Sequence, residues 1–258
     1  MAEARFRFHD ELNDFLPAER RHRALAYEVD RRAAIKDVIE ALGVPHPEVD
    51  VILVDGASVG FDYHLRGGDE VHVYPPGAPL PLAPPRHLRP PLPRPRRFLL
   101  DVHLGRLARY LRLLGIDCHY RNHAGDAELA ARAETEGRIL LTRDRNLLKR
   151  KRIALGRFVR ADDPFDQLEE VARAFDLRDE LAPFTRCTRC NGRLVPVHKA
   201  DVDHRLEPLT RRYVDDFLQC DRCGQVYWHG SHVSRMEALV ERLKRRLEFP
   251  APDRKGDR

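Results

Sequence analysis

At 258 residues the chain has room for two to three small domains, and 42% hydrophobic with 34% charged residues fits a globular protein. No apolar run nears the roughly 20 residues that cross a bilayer, and the N-terminal MAEARFRFHDELNDFL lacks the apolar core of a secretory signal. The expectation is therefore a soluble cytoplasmic protein without membrane contact, in which paired cysteines serve metal rather than disulfides. Net charge is only +5, but it is unevenly spread. Between Leu141 and Arg160, Arg143, Arg145, Lys149, Arg150, Lys151, Arg152, Arg157 and Arg160 face a single acid, Asp144. Such a block is either a solvated face or a contact for a polyanion, because cations on phosphates release condensed counterions.

In chain order, ARFRFH alternates apolar and polar residues like a strand. RAAIKDVIEALG places Ala34, Ile35, Val38, Ile39 and Leu42 on one helical face. VDVILVDG reads as a buried strand ending in an Asp55-Gly56 turn. Gly67-Gly68-Asp69 turns the chain into a last strand, Glu70 to Tyr74. This order over residues 1–75 is that of a β-grasp domain, and it resembles the ubiquitin-like sulfur carriers. Their chemistry needs a C-terminal Gly-Gly, whereas this strand runs on into Tyr74-Pro75-Pro76-Gly77. Sulfur transfer is therefore not expected, and docking to a protein partner or stabilisation is.

Residues 76–96 follow as a linker. Ten of the chain's 19 prolines lie between Pro75 and Pro95, and proline removes amide donors and fixes φ. The stretch reads as a stiff, extended tether, with an SH3-type ligand as the alternative.

From residue 97 to 182 strands and helices alternate: FLLD, HLGRLARYLRLLG, IDCHY, DAELAARAETEG, RILLT, GRFVR and PFDQLEEVARAF. That alternation predicts an α/β/α domain with a parallel sheet. Reactive groups gather beyond the carboxyl ends of such strands. Asp101 follows Phe98-Leu99-Leu100, Asp144 follows RILLT, and Asp162 and Asp163 follow Phe158-Val159. Asp126 and Glu128 open the next predicted helix. Clustered carboxylates repel unless a cation sits among them, and an oxygen-only ligand set suits Mg²⁺ or Mn²⁺. Such ions activate water for phosphodiester cleavage. The competing readings are local. Asp126 and Asp163 can each be a helix N-cap, Asp162 can replace Asp163, and nothing local demands an acid at Asp101 or Asp144. On the first helix Leu104, Leu107, Ala108, Leu111 and Leu114 form the apolar stripe. Arg106 and Arg109 are candidate phosphate contacts, as are Arg143 and Arg145 beside Asp144, while Arg112 is read as solvated.

The last folded part, residues 183–250, holds Cys187-x-x-Cys190 and Cys220-x-x-Cys223, each followed by turn residues. Two such knuckles supply four thiolates for a closed, structural Zn²⁺ site; the alternative is a redox dithiol. His198 and His204, in the 29-residue spacer, are read as surface residues, and Cys118 as a buried inert thiol. Tyr227 and Trp228, near His229, His232 and Arg235, either stack on unpaired bases or pack the ribbon against a helix. That final helix, Ser231 to Leu247, places Met236, Leu239, Val240, Leu243 and Leu247 on its apolar side, and 251–258 is read as a disordered tail.

FLLDVHLGRLARYLRLLGIDCHY, RILLTRDRNLL and RFVRADDP closely resemble the Mut-seven C-terminal RNase family. The resemblance implies a PIN-like fold with a zinc ribbon, in some members behind a ubiquitin-like domain. It also implies RNase activity with Asp101 and Asp144 as Mg/Mn ligands, joined by Asp126 or Glu128 and by Asp163. The expected function is hydrolysis of RNA, probed first on single strands. The alternative is a non-catalytic RNA-binding or ribosome-associated adaptor.

Overall fold

The computed structural model describes residues 2–29, 32–81, 85–228 and 231–248, with the backbone alone for 231–236. In chain order they form β1 (Glu3–Phe8), β2 (Leu25–Glu28), α1 (Ile35–Ala41), β3 (Val51–Val54), β4 (Ala57–Val59), β5 (Glu70–Tyr74), β6 (Arg97–Leu100), α2 (Gly105–Leu113) and β7 (Asp117–Tyr120). Next come α3 (Asp126–Glu136), β8 (Ile139–Thr142), α4 (Arg145–Leu148), β9 (Gly156–Phe158) and α5 (Pro164–Ala174). The ribbon and its helix complete the chain as β10 (Leu194–Val197), α6 (Lys199–Val202), α7 (Pro208–Tyr213), β11 (Phe217–Cys220), β12 (Val226–Trp228) and α8 (Ser231–Glu248). Contacts divide these elements into two units that do not follow sequence order. One joins Met1–Leu92 with Gly125–Phe158, the other Pro93–Ala124 with Val159–Arg258.

In the first unit, β1 buries Ala4, Phe6 and Phe8 and exposes Glu3, Arg5 and Arg7, the period-two pattern of a strand with one covered face. It lies beside β5 in parallel, within the sheet order β2-β1-β5-β3-β4. Ile35, Val38 and Ile39 of α1 cover that face and complete a core with Leu12, Phe15, Ile52, Val71 and Val73. Asp55 (φ 49°) and Gly56 (φ 81°) both adopt left-handed backbone. Two such residues make the reverse turn whose twist matches the flanking strands, here β3 and β4. The β-grasp expectation thus holds, with the short edge strands β2 and β4 added to it.

The proline-rich stretch has no helix or strand where it is described, in keeping with its missing donors. It is not a tether standing off the domain. The Leu88 amide donates to Asp50 O (2.7 Å), His87 Nδ1 pairs with the Asp50 carboxylate (2.7 Å), and the Arg86 amide donates to Ser58 Oγ (3.0 Å). Ala78 and Leu80 pack on Val51, Leu53 and Tyr74, and Leu88 packs on the β-grasp core.

The same unit contains the parallel pair β8 and β9, in register from Leu140 opposite Gly156 to Thr142 opposite Phe158. All four residues of β8 are buried, so its sequence shows no alternation. Helix α3 ends on Gly137 at φ 59°, a left-handed cap that suits glycine.

The second unit carries another parallel pair, β6 and β7, from Arg97 opposite Asp117 to Leu100 opposite Tyr120. The buried stripe of α2 includes Leu107, Ala108 and Leu111, and α2 packs on α5 and β7. Phe98 meets Phe175 edge-on at 5.3 Å between ring centroids. The ribbon is an antiparallel sheet β10-β11-β12. Helix α8 contacts α5, burying Val240, Leu243 and Leu247 and setting Arg242 over the Phe165 ring. The expected apolar position Met236, the side chains of His232 and Arg235, residue His229 and the 251–258 tail lie outside the described residues. Among the described residues no helix is long and apolar enough to cross a membrane.

Candidate metal centre and carboxylates

The four cysteines come together because each C-x-x-C pair sits on a turn. Asn191 (φ 69°) and Gly224 (φ 68°) reverse the chain after the two pairs. Gly192 is required for a different reason: a Cβ there would lie 2.6 Å from Cys220 Sγ. The result places all four sulfurs within 4.8 Å of one another, with 3.4 Å between Cys190 and Cys220 and 3.6 Å between Cys187 and Cys223. A tetrahedral zinc with Zn–S near 2.3 Å would set its sulfurs about 3.8 Å apart, so the donor set fits that ion in number, type and spacing.

The thiols are unequal. Burial pushes Cys187 up, but hydrogen bonds from Tyr227 and the Cys190 and Arg189 amides outweigh it, bringing it to about 7. Burial with thiol neighbours drives Cys190 up to about 12. Tyr227, expected either to stack on bases or to pack the ribbon, places its hydroxyl 3.1 Å from Cys187 Sγ and 3.3 Å from Thr188 Oγ1. Trp228 beside it is 38% exposed, tilted over Phe217. His198 and His204 are exposed and stand outside the sulfur cluster, and Cys118 is buried, each as expected.

Asn191 and Arg112 are among the residues that tie the knuckle into the α/β layer. Asn191 Oδ1 accepts from the Cys118 amide of β7 (3.0 Å), and its Nδ2 donates to Asp117 (2.9 Å). Arg112, expected to be solvated, is instead only 3% exposed. Its Nε donates to Cys118 O (2.9 Å), and its Nη1 donates to Thr188 O (3.2 Å) and Arg189 O (2.9 Å). One guanidinium thus donates to carbonyls of both β7 and the first knuckle and joins the two. Its position near the end of α2, three residues beyond Arg109, gave no sign of this, because both are simply arginines on one helix.

The acids stand where their strands end. Asp101 directly follows β6, is buried, and accepts from the Val102 amide (2.6 Å) at the start of a 3-10 turn. Asp144, half-buried two residues beyond β8, caps α4 through one oxygen, accepting from Asn146 (2.7 Å) and Leu147 (3.3 Å). Local backbone therefore does use an acid at both positions, contrary to the sequence expectation. A carboxylate offers about four lone-pair sites, so capping does not by itself preclude cation binding. Asp163 is exposed and caps α5, accepting from the Phe165 and Asp166 amides. Asp126 is not a cap. Gly125 holds that place, and Asp126 pairs with Arg150 at 3.2 Å.

Arg106 and Arg109 are exposed on α2. Arg145, the first residue of α4, lies over the rings of Phe15 (5.3 Å) and Phe158 (5.6 Å). It donates to Phe15 O (2.9 Å) and Asp14 O (3.2 Å).

Compared with known protein families, residues 96–240 match the Mut7-C RNAse domain and residues 1–80 match Mut7-C ubiquitin. No curated protein and no solved structure gives a significant match.

Proposed function

The chain belongs to the Mut7-C RNAse domain family and carries that family's ubiquitin-like domain in front, and from this premise we propose a metal-dependent ribonuclease. Its acidic set is Asp101, Asp144, Asp126 and Asp163. The observation that carries the reading is that Asp101 and Asp144 each stand just beyond the carboxyl end of a parallel strand, in the region where open α/β folds place their chemistry. Backbone amides orient each carboxylate separately, Asp101 through Val102 and Asp144 through Asn146. Fixed donors of this kind lower the cost of reorganisation on binding a cation.

Their oxygens suit Mg²⁺ or Mn²⁺, which when bound would acidify the attacking water and neutralise charge developing on the phosphodiester. Asp101 and Asp144 are the expected first ligands, with Asp126 and Asp163 completing the anionic set. Arg106, Arg109 and Arg143 would hold the substrate's phosphates by charge-assisted hydrogen bonds. The zinc-type cysteine set has no part in hydrolysis, since four thiolates leave no position for water or substrate.

The test is degradation of single-stranded RNA by the purified chain with Mn²⁺. Asp101→Asn and Asp144→Asn should each lower the rate at least a hundredfold, measured with unchanged zinc content. Cleavage that survives in both variants would sink the assignment. The adaptor reading predicts RNA that is bound in EDTA and left intact when Mn²⁺ is restored.

A further inference from the structure

The basic segment between Arg145 and Phe158 lies against the ubiquitin-like domain, which meets it with a set of anionic and dipolar groups. Arg145 donates to the carbonyls of Asp14 and Phe15, at the end of the 3-10 turn Asp10–Phe15. Lys149 Nζ donates to Glu40 O (2.7 Å), in the last turn of α1, where a helix presents the negative end of its dipole. Arg157 makes a two-pronged pair with Glu11 at 2.9 and 3.0 Å. The Phe158 amide donates to the buried Glu48 carboxylate (2.5 Å), and the Phe158 ring stands edge-on to Phe15 at 5.6 Å.

Each of the three cations is thus answered by an oxygen acceptor of the kind a phosphate backbone offers. Arg145 lies over the Phe15 and Phe158 rings, Arg157 immediately precedes Phe158, and Arg145 and Lys149 share one side of a helical turn, about 5–6 Å apart at Cβ. Cations interleaved with an aromatic platform make a face suited to single-stranded nucleic acid, with charge for the backbone and the ring for a base. The face begins one residue after Asp144.

We propose that the surface of Arg145, Lys149, Arg157 and Phe158 is a binding face for single-stranded RNA that the ubiquitin-like domain covers, so that docking of this domain and RNA compete for the same cations. The inference deepens the ribonuclease reading and rests on RNA being the substrate. It makes the ubiquitin-like domain an intramolecular competitor. Opening that face exposes Phe158, so the covered form predominates without RNA, and apparent affinity falls by the fraction of molecules that are open.

The experiment uses the full chain and a short single-stranded RNA in EDTA, so that cleavage does not intervene. In the wild-type protein, saturating RNA should speed amide exchange in residues 10–16 and 37–42 while slowing it in 145–149. Unchanged exchange in 10–16 and 37–42 with RNA bound overturns the proposal. Glu11→Lys, which turns the Arg157 pair into a repulsion, should tighten RNA binding roughly three- to tenfold by raising the open fraction. Equal or weaker binding by a folded Glu11→Lys protein counts against the proposal. Adding Phe158→Ala to that variant should weaken binding of RNA relative to heparin, a polyanion without bases, since any loosening of the docked domain acts on both ligands alike. Equal losses for both would contradict a face specific for single-stranded RNA. RNA that displaces the domain but stays uncut with Mn²⁺ removes the hydrolase reading alone. Cleavage without displacement removes this inference alone.

Discussion

The cysteine knuckle and the basic segment 141–160 both stand out in the sequence as self-contained motifs, and they depend on their surroundings in opposite ways. In the knuckle, chemistry follows from residue identity. Four thiols on two tight turns converge within 4.8 Å, and neighbours such as Arg112 and Asn191 are drawn into fastening the result to β7. In the basic segment, residue identity leaves the role open. Arg145, Lys149 and Arg157 are committed to the ubiquitin-like domain, while Arg150 and Arg152 pair with Asp126 and Glu134 nearby. A thiolate cluster has essentially one stable use, whereas a guanidinium serves a carbonyl, a carboxylate, a ring or a phosphate equally well.

The largest effect should come from breaking the knuckle. Cys220→Ser should abolish zinc binding and unfold the ribbon, because structural zinc sites couple about 10–16 kcal/mol of binding energy to folding. Elemental analysis together with thermal denaturation checks this; full zinc occupancy in the variant would refute the four-sulfur assignment. Next is Arg112→Met, which keeps apolar volume but strips donors from the Cys118, Thr188 and Arg189 carbonyls. A loss of about 3 kcal/mol in urea unfolding is expected, and a loss below about 1 kcal/mol would mean that Arg112 is no strut.

The basic segment should respond more weakly. A double-mutant cycle of Glu11→Gln and Arg157→Ala should show a coupling of about 1–2 kcal/mol, since the pair is two-pronged and largely shielded, with side chains 25% and 13% exposed. Zero coupling would make the contact incidental. Smallest of all is Arg106→Ala on the exposed face of α2. Stability should not change, and the slope of log affinity for RNA against log salt should become shallower by about 1. An unchanged slope would remove Arg106 from the phosphate contacts.

These differences show which parts of the fold were legible in advance. The β-grasp core was readable because β1 alternates and α1 repeats at helical spacing, both of which record a single buried face. Strands β2 and β4 were not readable. They are short edges whose side chains are half-exposed, so pairing with β1 and β3 defines them rather than composition. Helix α4 has only four residues, too few for any periodicity, and its start is set by the Asp144 cap. The sequence therefore shows no local purpose for the acid, because the helix that it caps leaves no periodic trace. At Asp126 the opposite happened. A residue read as either a cap or a metal ligand is not the cap, because Gly125 occupies the capping place, and its carboxylate pairs with Arg150.

By itself the sequence determined the donor chemistry: thiols paired at metal spacing, carboxylates at strand ends, and the buried faces of strands and helices. These depend on residue type and on separations of a few positions along the chain. Tertiary structure alone decided the partners of the long cations. The proline-rich stretch lies on the β-grasp domain through Asp50, Arg112 is buried beneath the knuckle, and Arg145, Lys149 and Arg157 turn toward the ubiquitin-like domain. The physical reason is reach. A flexible side chain several ångströms long, ending in a group with many possible acceptors, takes its role from whatever folding brings beside it.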